Sequence, residues 1–361
     1  MSEATQGQPS MAQDFEHALA GASTAQASFE DEHPSFLKRA QRFLHVYPTT
    51  VPFVVLLLGL VLGVSVNPAR FVTGSNFSTV LTQVTIIGIV GVGQTLVILT
   101  AGIDLSIGVI MVICSVVMGR LAVIDEVPVF IAFPLGLLCG IVCGWLNGSL
   151  VTRLKMPPFI VTLGTLSIIG ALNTFYSQSE TIRMQDIEDK APFLQWMGTP
   201  FEVGNARIIL ASFLLIVVAV VVWYVLNRTA FGRHIYATGD DPEAARLAGI
   251  NTDRILLSVY VLAGLIAAIA GWALIGRIGA ISPTAGENVN LDSITAVVIG
   301  GTSLFGGRGS IVGTLIGALI VGVFRSAVSL AGLDVLWQEF AVGVLIIIAV
   351  ALDQWIRRVA A

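Results

Sequence analysis

Charge is what this chain has least of. Only 12% of its 361 residues are Asp, Glu, Lys or Arg, roughly half the share of a soluble domain. With 55% hydrophobic residues and a mean hydropathy of +0.87, there is too little polar side chain to cover a water-soluble fold, whereas lipid tails solvate such a surface. The net charge of -4 comes without a basic cluster, which excludes nucleic acid as a partner. Cysteine is scarce too. Cys114, Cys139 and Cys143 all lie in apolar stretches, the last two one helical turn apart. They offer neither a disulfide framework nor metal-ligand spacing and read as small packing residues. Of the four histidines, His17, His33 and His45 precede the first long apolar run and His234 lies in a polar loop. No Ser/His/Asp or metal constellation gathers on one membrane face, which argues against an enzyme. The phosphate-cradling pattern Gly-x-x-x-x-Gly-Lys-[Ser/Thr] is also missing, so nucleotide chemistry has no home in this chain.

Long apolar runs are abundant. A helical span needs about 20 mostly apolar residues. Such runs fall near residues 48–66, 77–101, 104–122, 128–150, 158–177, 207–226, 255–276, 289–305, 310–331 and 336–356. The eighth is short and polar, as a broken or re-entrant segment would be. The expected fold is therefore all-α: a polytopic bundle of about ten spans over residues 46–361. Residues 1–45 are expected to form a disordered cytoplasmic tail, since their polar, acidic composition cannot offset ordering entropy. They lack the basic start and immediate apolar core of a cleaved signal peptide, so the first span is expected to remain as an anchor. With both termini inside, the cytoplasmic side receives Lys38, Arg39, Arg42, Arg153, Lys155, Arg228, Arg233, Arg246, Arg254, Arg308, Arg357 and Arg358. The outer side receives Arg70, Arg120, Arg183, Lys190, Arg207 and Arg277. That bias obeys the positive-inside rule.

Helices in lipid associate by close backbone approach, which needs small residues. Gly136, Gly140, Gly144 and Gly148 recur every fourth residue in the fourth span, and Gly309, Gly313 and Gly317 do so in the ninth. They read first as packing faces and second as surfaces that slide during gating. The shared rhythm hints at an internal repeat. Polar residues at bilayer depth face the protein interior. Gln94, Thr95, Thr100, Asp104 and Ser106 cluster at the second and third spans, with Asn147, Thr162, Thr165 and Asn173 further on. Each admits two readings, helix-to-helix hydrogen bonding or contact with a polar solute. For Asp104 the structural reading is a cap on the third helix. Arg325, inside the ninth span, is expected to snorkel to the outer surface; an interior ion pair, with Glu339 as a conceivable partner, is the alternative.

The loop 227–254 holds a self-contained short helix. Asp241 suits its N-cap, Pro242 its first position, Glu243 the positive end of its dipole and Gly249 its C-terminal cap. Its body, Ala244-Ala245-Arg246-Leu247-Ala248, is too short to be stable alone in water and needs a surface on which to rest.

The run Gly239-Asp240-Asp241-Pro242-Glu243-Ala244-Ala245-Arg246-Leu247-Ala248-Gly249-Ile250 resembles the Glu-Ala-Ala-type cytoplasmic loop of bacterial importer permeases driven by an ATP-binding cassette (ABC). The stretch from Gly93 to Gly108, containing Gly102-Ile103-Asp104-Leu105-Ser106, is similar to the segment joining spans two and three of the ribose/xylose-type permeases. A third match to these permeases is Gly300-Gly301-Thr302-Ser303-Leu304-Phe305-Gly306-Gly307-Arg308-Gly309-Ser310, followed by Gly313 and Gly317. The three appear in the family's order, and the resemblance covers about residues 48–356. Branched-chain amino-acid permeases share the plan; the run from Gly102 to Ser106 points to the monosaccharide branch.

The resemblance implies a multi-pass subunit of the bacterial inner membrane. Two copies, or a closely related pair, form one pathway, a cassette ATPase binds beneath and an extracytoplasmic sugar-binding protein delivers the sugar. Asp241, Pro242, Glu243, Ala244, Ala245, Arg246, Leu247 and Gly249 would transmit the ATPase's motion. From their polarity at bilayer depth, Gln94, Thr95, Asp104, Ser106, Asn147 and Thr165 are the residues expected to line the substrate path. No cofactor belongs to this chain; ATP and magnesium reside on the partner. Nucleosides or branched-chain amino acids are the alternative cargo, and an ion-coupled secondary transporter the alternative class. The acids Asp104, Asp292 and Glu339 map near span ends, which disfavours the latter.

Overall fold

A computed structural model describes residues 50–286 and 288–357; the expected disordered tail, residues 1–45, lies outside them. The described chain is helical apart from one small hairpin. In order it runs α1 (Thr50–Val66), α2 (Pro68–Phe71), α3 (Gly74–Leu99), α4 (Ile107–Gly119, continued by a π-turn over Arg120–Ile124), α5 (Val129–Arg153) and α6 (Pro158–Ser177). Then come α7 (Met184–Lys190), a 3-10 turn (Pro192–Gly198), the antiparallel pair β1 (Pro200–Val203) and β2 (Ala206–Ile209), α8 (Leu210–Arg228), α9 (Ala230–Asp240) and α10 (Pro242–Leu247). The chain continues through α11 (Thr252–Ile278), α12 (Val289–Ile299), α13 (Ile311–Leu330) and α14 (Val335–Arg357). All ten expected spans therefore contain a helix. Seven of these, α3 to α6, α8, α11 and α13, are long and apolar enough to cross a membrane, and α1 and α12 are shorter apolar helices.

Two spans differ from the expectation. The sixth begins at Leu210, because residues 206–209 are taken into the hairpin. The eighth stops at Ile299. Its 11 residues rise about 16 Å at 1.5 Å each, half of a hydrocarbon core about 30 Å thick. The glycine-rich segment 300–310 follows it without helix.

Helix α3 is the axis of the bundle: every residue from Val84 to Leu99 is buried. Helix α5 shows how small residues set the packing. Its glycine face lies on α11, where a Cβ on Gly140 would strike the Gly264 carbonyl and one on Gly144 the Tyr260 carbonyl. Its other face exposes Leu135, Leu138, Val142, Trp145 and Leu146, the surface a lipid would solvate. The expected packing role of that stripe is thus met. In the second half, Gly313 and Gly317 do the same work against the carbonyls of Gly300, the C-cap of α12, and Ala296 within it.

The hint of a repeat has a structural counterpart. Helix α3 ends with Ala101 in the left-handed region (φ 58°), and Gly102 N–H donates to Val97 O at 3.1 Å. Helix α12 ends with Gly301 at φ 86°, and Thr302 N–H donates to Val297 O at 3.1 Å. The same C-terminal turn thus leads into α4 and α13.

The two ends of the bundle are built differently. At one end the segment 178–209 covers the helices. Phe193 stacks on Trp272 with centroids 5.1 Å apart, and Phe133 meets Trp272 edge-on at 4.8 Å. Lys190 bonds Glu126 at 2.8 Å. The other end carries α9, α10 and the non-helical segments 100–106 and 300–310. There Gly307 N–H donates to Leu99 O (2.9 Å), and the Tyr236 hydroxyl donates to Gly309 O (2.9 Å).

Candidate functional site

Three groups of residues concern function, and the first is α10. Asp241 is its N-cap, with Oδ1 accepting from the N–H groups of Glu243 (2.9 Å) and Ala244 (3.0 Å). Pro242 is the first helical residue, and Gly249 follows the helix at φ 86°. The local chemistry read from the sequence therefore forms. Ala245 alone is buried and seats the helix on the body. Arg246 ties it down, with Nε donating to Thr252 Oγ1 (2.8 Å) and Nη2 3.6 Å from Asp253, which Lys155 also binds at 2.8 Å. Leu247 is 91% exposed, so an apolar side chain stands out from a polar surface. Helix α9 escaped the sequence reading. Its N-cap, Thr229 Oγ1 accepting from Gly232 N–H at 3.3 Å, was the available signal.

The second group lies inside the bundle at the α10 end. Asp104 Oδ1 accepts from the Ser106 backbone N–H (2.7 Å) and hydroxyl (2.6 Å), and Asn147 Nδ2 donates to Ser106 Oγ (2.8 Å). Asp104, Ser106 and Asn147 are thus brought together, joining α5 to the α3–α4 turn. Asp104 is not the cap expected: the N-cap of α4 is Ser106, without a side-chain cap bond, and Asp104 instead organises the turn one step earlier by accepting from Ser106. The Tyr260 hydroxyl, beside Gly102, and Asn147 Oδ1 are buried with no hydrogen-bond partner among the described residues; Tyr260 was not foreseen.

Thr95 and Thr165 are elsewhere. Thr95 Oγ1 donates to Gly91 O (2.7 Å) and meets Thr314 Oγ1 of α13 at 2.6 Å. Thr165 Oγ1 donates to Thr162 O of its own helix at 3.3 Å. Thr162 and Asn173 bond the carbonyls of Ile103 and Pro283. Gln94 stands apart from all of these. It is 0% exposed, and neither amide atom has a partner among the described residues. An unpaired buried amide is costly, so it marks a place where water or solute belongs.

The third group sits at the opposite end. A cavity of about 300 Å³ is lined by Gln83, Arg277, Asn288, Asp292, Arg325 and Gln338, among others. A second, of about 380 Å³, shares Gln83 and Arg277 and adds Ser78, Thr82, Asn205 and Arg207. Arg325 does not snorkel as expected. Its Nη2 lies 2.7 Å from Asp292 Oδ1 in an ion pair within the bundle. Short α12 places a carboxylate in its first turn within reach of α13, and a buried charge that finds a counter-charge need not travel to the interface. Glu339 accepts instead from Asn288 Nδ2 at 2.8 Å.

Residues 76–350 match the model of the family described as branched-chain amino acid transport system / permease component. The chain belongs to this family, and within it to the ABC permeases for sugars. It is 54% identical to the fructose import permease protein FrcC of Rhizobium meliloti, over 99% of both chains. It is 40% identical to the ribose import permease protein RbsC of Bacillus subtilis (84% of this chain, 92% of that protein). It is 31% identical to the galactose/methyl galactoside import permease protein MglC of Haemophilus influenzae (88% and 97%). No solved structure matches.

Proposed function

We propose that this chain is the membrane subunit of a binding-protein-dependent ABC importer that carries a monosaccharide into a bacterial cell, with fructose the first candidate and ribose the second. The ranking rests on identity: 54% to a fructose permease along the whole chain, against 40% to a ribose permease over 84% of it. Two copies form the path, an extracytoplasmic sugar-binding protein supplies the solute, and a separate ATPase holds the ATP and magnesium. The α10 end faces the cytoplasm of a cell whose inner membrane holds the chain.

The observation that carries this reading is α10 itself. A six-residue helix has little stability of its own. Here it is fully capped, tethered through Arg246 and seated by Ala245, yet it directs Leu247 outward. That is the design of a small rigid lever meant for a cleft in another protein. The test is reconstitution with a cassette ATPase and a sugar-binding protein. ATP-dependent accumulation of labelled fructose, competed weakly by ribose, is the expected result. Uptake that needs no nucleotide would overturn the reading.

A further inference from the structure

The cavity lined by Gln83, Arg277, Asn288, Asp292, Arg325 and Gln338 has no part in seating α10, and none of its residues stood out in the sequence as a substrate contact. Its volume of about 300 Å³ lies at the lower end of small-molecule pockets, about 300–1,000 Å³. Its lining suits a polyhydroxylated ligand, because amides, a carboxylate and guanidinium groups are planar and can engage two neighbouring hydroxyls at once. Two orphaned atoms sit here: Gln83 Oε1 and Arg325 Nε are buried with no hydrogen-bond partner among the described residues. A network built only to hold helices together would use both, since buried polar groups are normally paired. Of the two arginines in the lining, Arg325 is paired with Asp292, and Asn288 is held by Glu339.

From the cavity, one stripe of α3 runs inward to Gln94. Gln83, Ile87, Gly91 and Gln94 recur at the spacing that keeps residues on one face of α3. Gln83 and Ile87 line the cavity. Gly91 faces Thr314 of α13 and Val297 of α12, and Gln94 is the wholly unpaired buried amide. The stripe spans about 16 Å along the helix.

We infer that this cavity is a low-affinity subsite for a neutral monosaccharide in the permease itself, receiving the sugar before it reaches Gln94. The inference rests on the sugar-importer reading and on the orientation it assigns. The test uses the permease–ATPase assembly in right-side-out proteoliposomes, without binding protein. Gln83→Cys and Gln338→Cys are introduced singly, with the unsubstituted chain as the background for its own cysteines. A membrane-impermeant maleimide is added outside. Both positions are expected to be labelled, and millimolar fructose to slow labelling severalfold where glycerol does not. Gln83→Ala added to Gln338→Cys should raise the protecting fructose concentration severalfold. Labelling that no monosaccharide slows, or no labelling from outside, overturns the subsite. ATP-driven uptake by the complete assembly is measured alongside. If uptake proceeds without protection, the subsite alone is wrong; if no monosaccharide is taken up, the importer reading falls and the subsite with it.

Discussion

At the scale of single residues, buried polar atoms divide into those that hold the bundle and those left open. Ser106 belongs to the first kind: it bonds Asp104 and receives the Asn147 amide. Ser106→Ala leaves Asn147 without either partner and strips Asp104 of one donor, so a loss of about 1–3 kcal/mol is expected, read as a lower unfolding temperature in detergent. Gln94 belongs to the second kind. Gln94→Leu fills similar space and removes an unsatisfied amide, so stability should hold or rise while sugar flux falls. Equal flux would take Gln94 out of the path. Asp292 and Arg325 are a third case, a pair with side chains 4% and 21% exposed. Breaking a buried pair from one side costs about 3–5 kcal/mol. Asp292→Asn and Arg325→Gln should each destabilise more than the two together, and denaturation of the three variants measures it.

At the scale of elements, legibility followed how local the cause was. The long spans were readable because a run of about 20 apolar residues has few other fates. The cap of α10 was readable because Asp241, Pro242 and Gly249 act on their own neighbours. Helix α9 and the β1–β2 hairpin were not, being short, polar and placed by what they rest on. The Asp292–Arg325 pair was illegible for a related reason. It joins two helices, so it depends on a packing register that no single segment encodes. The halt of α12 at Ile299 lay between these cases, since the short, polar run foretold a break but not its position. Element packing is itself testable through two glycines. A Cβ at Gly140 would meet the Gly264 carbonyl and Ala268, whereas Gly164 of α6 has open space around it. Gly140→Val should therefore abolish folded protein in the membrane. Gly164→Ala should be harmless or gain up to about 1 kcal/mol from helix propensity. Expression and unfolding temperature separate the two.

At the scale of the whole molecule, orientation and coupling stand or fall together. The α10 end carries Arg153, Lys155, Arg228, Arg233, Arg246, Arg254 and Arg308; the opposite end carries Arg70, Arg120, Arg183, Lys190, Arg207 and Arg277. Basic loops favour the cytoplasmic side, and in the proposed orientation Leu247 projects toward the cytoplasm, where ATP is. In intact spheroplasts, Glu188→Cys should react with an impermeant maleimide, and Glu243→Cys only after permeabilisation. Given that result, Leu247 becomes decisive. It is almost fully exposed, so Leu247→Asp removes no internal contact and should leave the unfolding temperature unchanged. A carboxylate cannot replace an apolar side chain in a cleft, so ATP-driven uptake should fall at least tenfold, corresponding to about 1.4 kcal/mol or more of lost docking. Hydrolysis by the ATPase should continue without delivering sugar. Full transport by this variant would mean that force enters the permease somewhere other than α10.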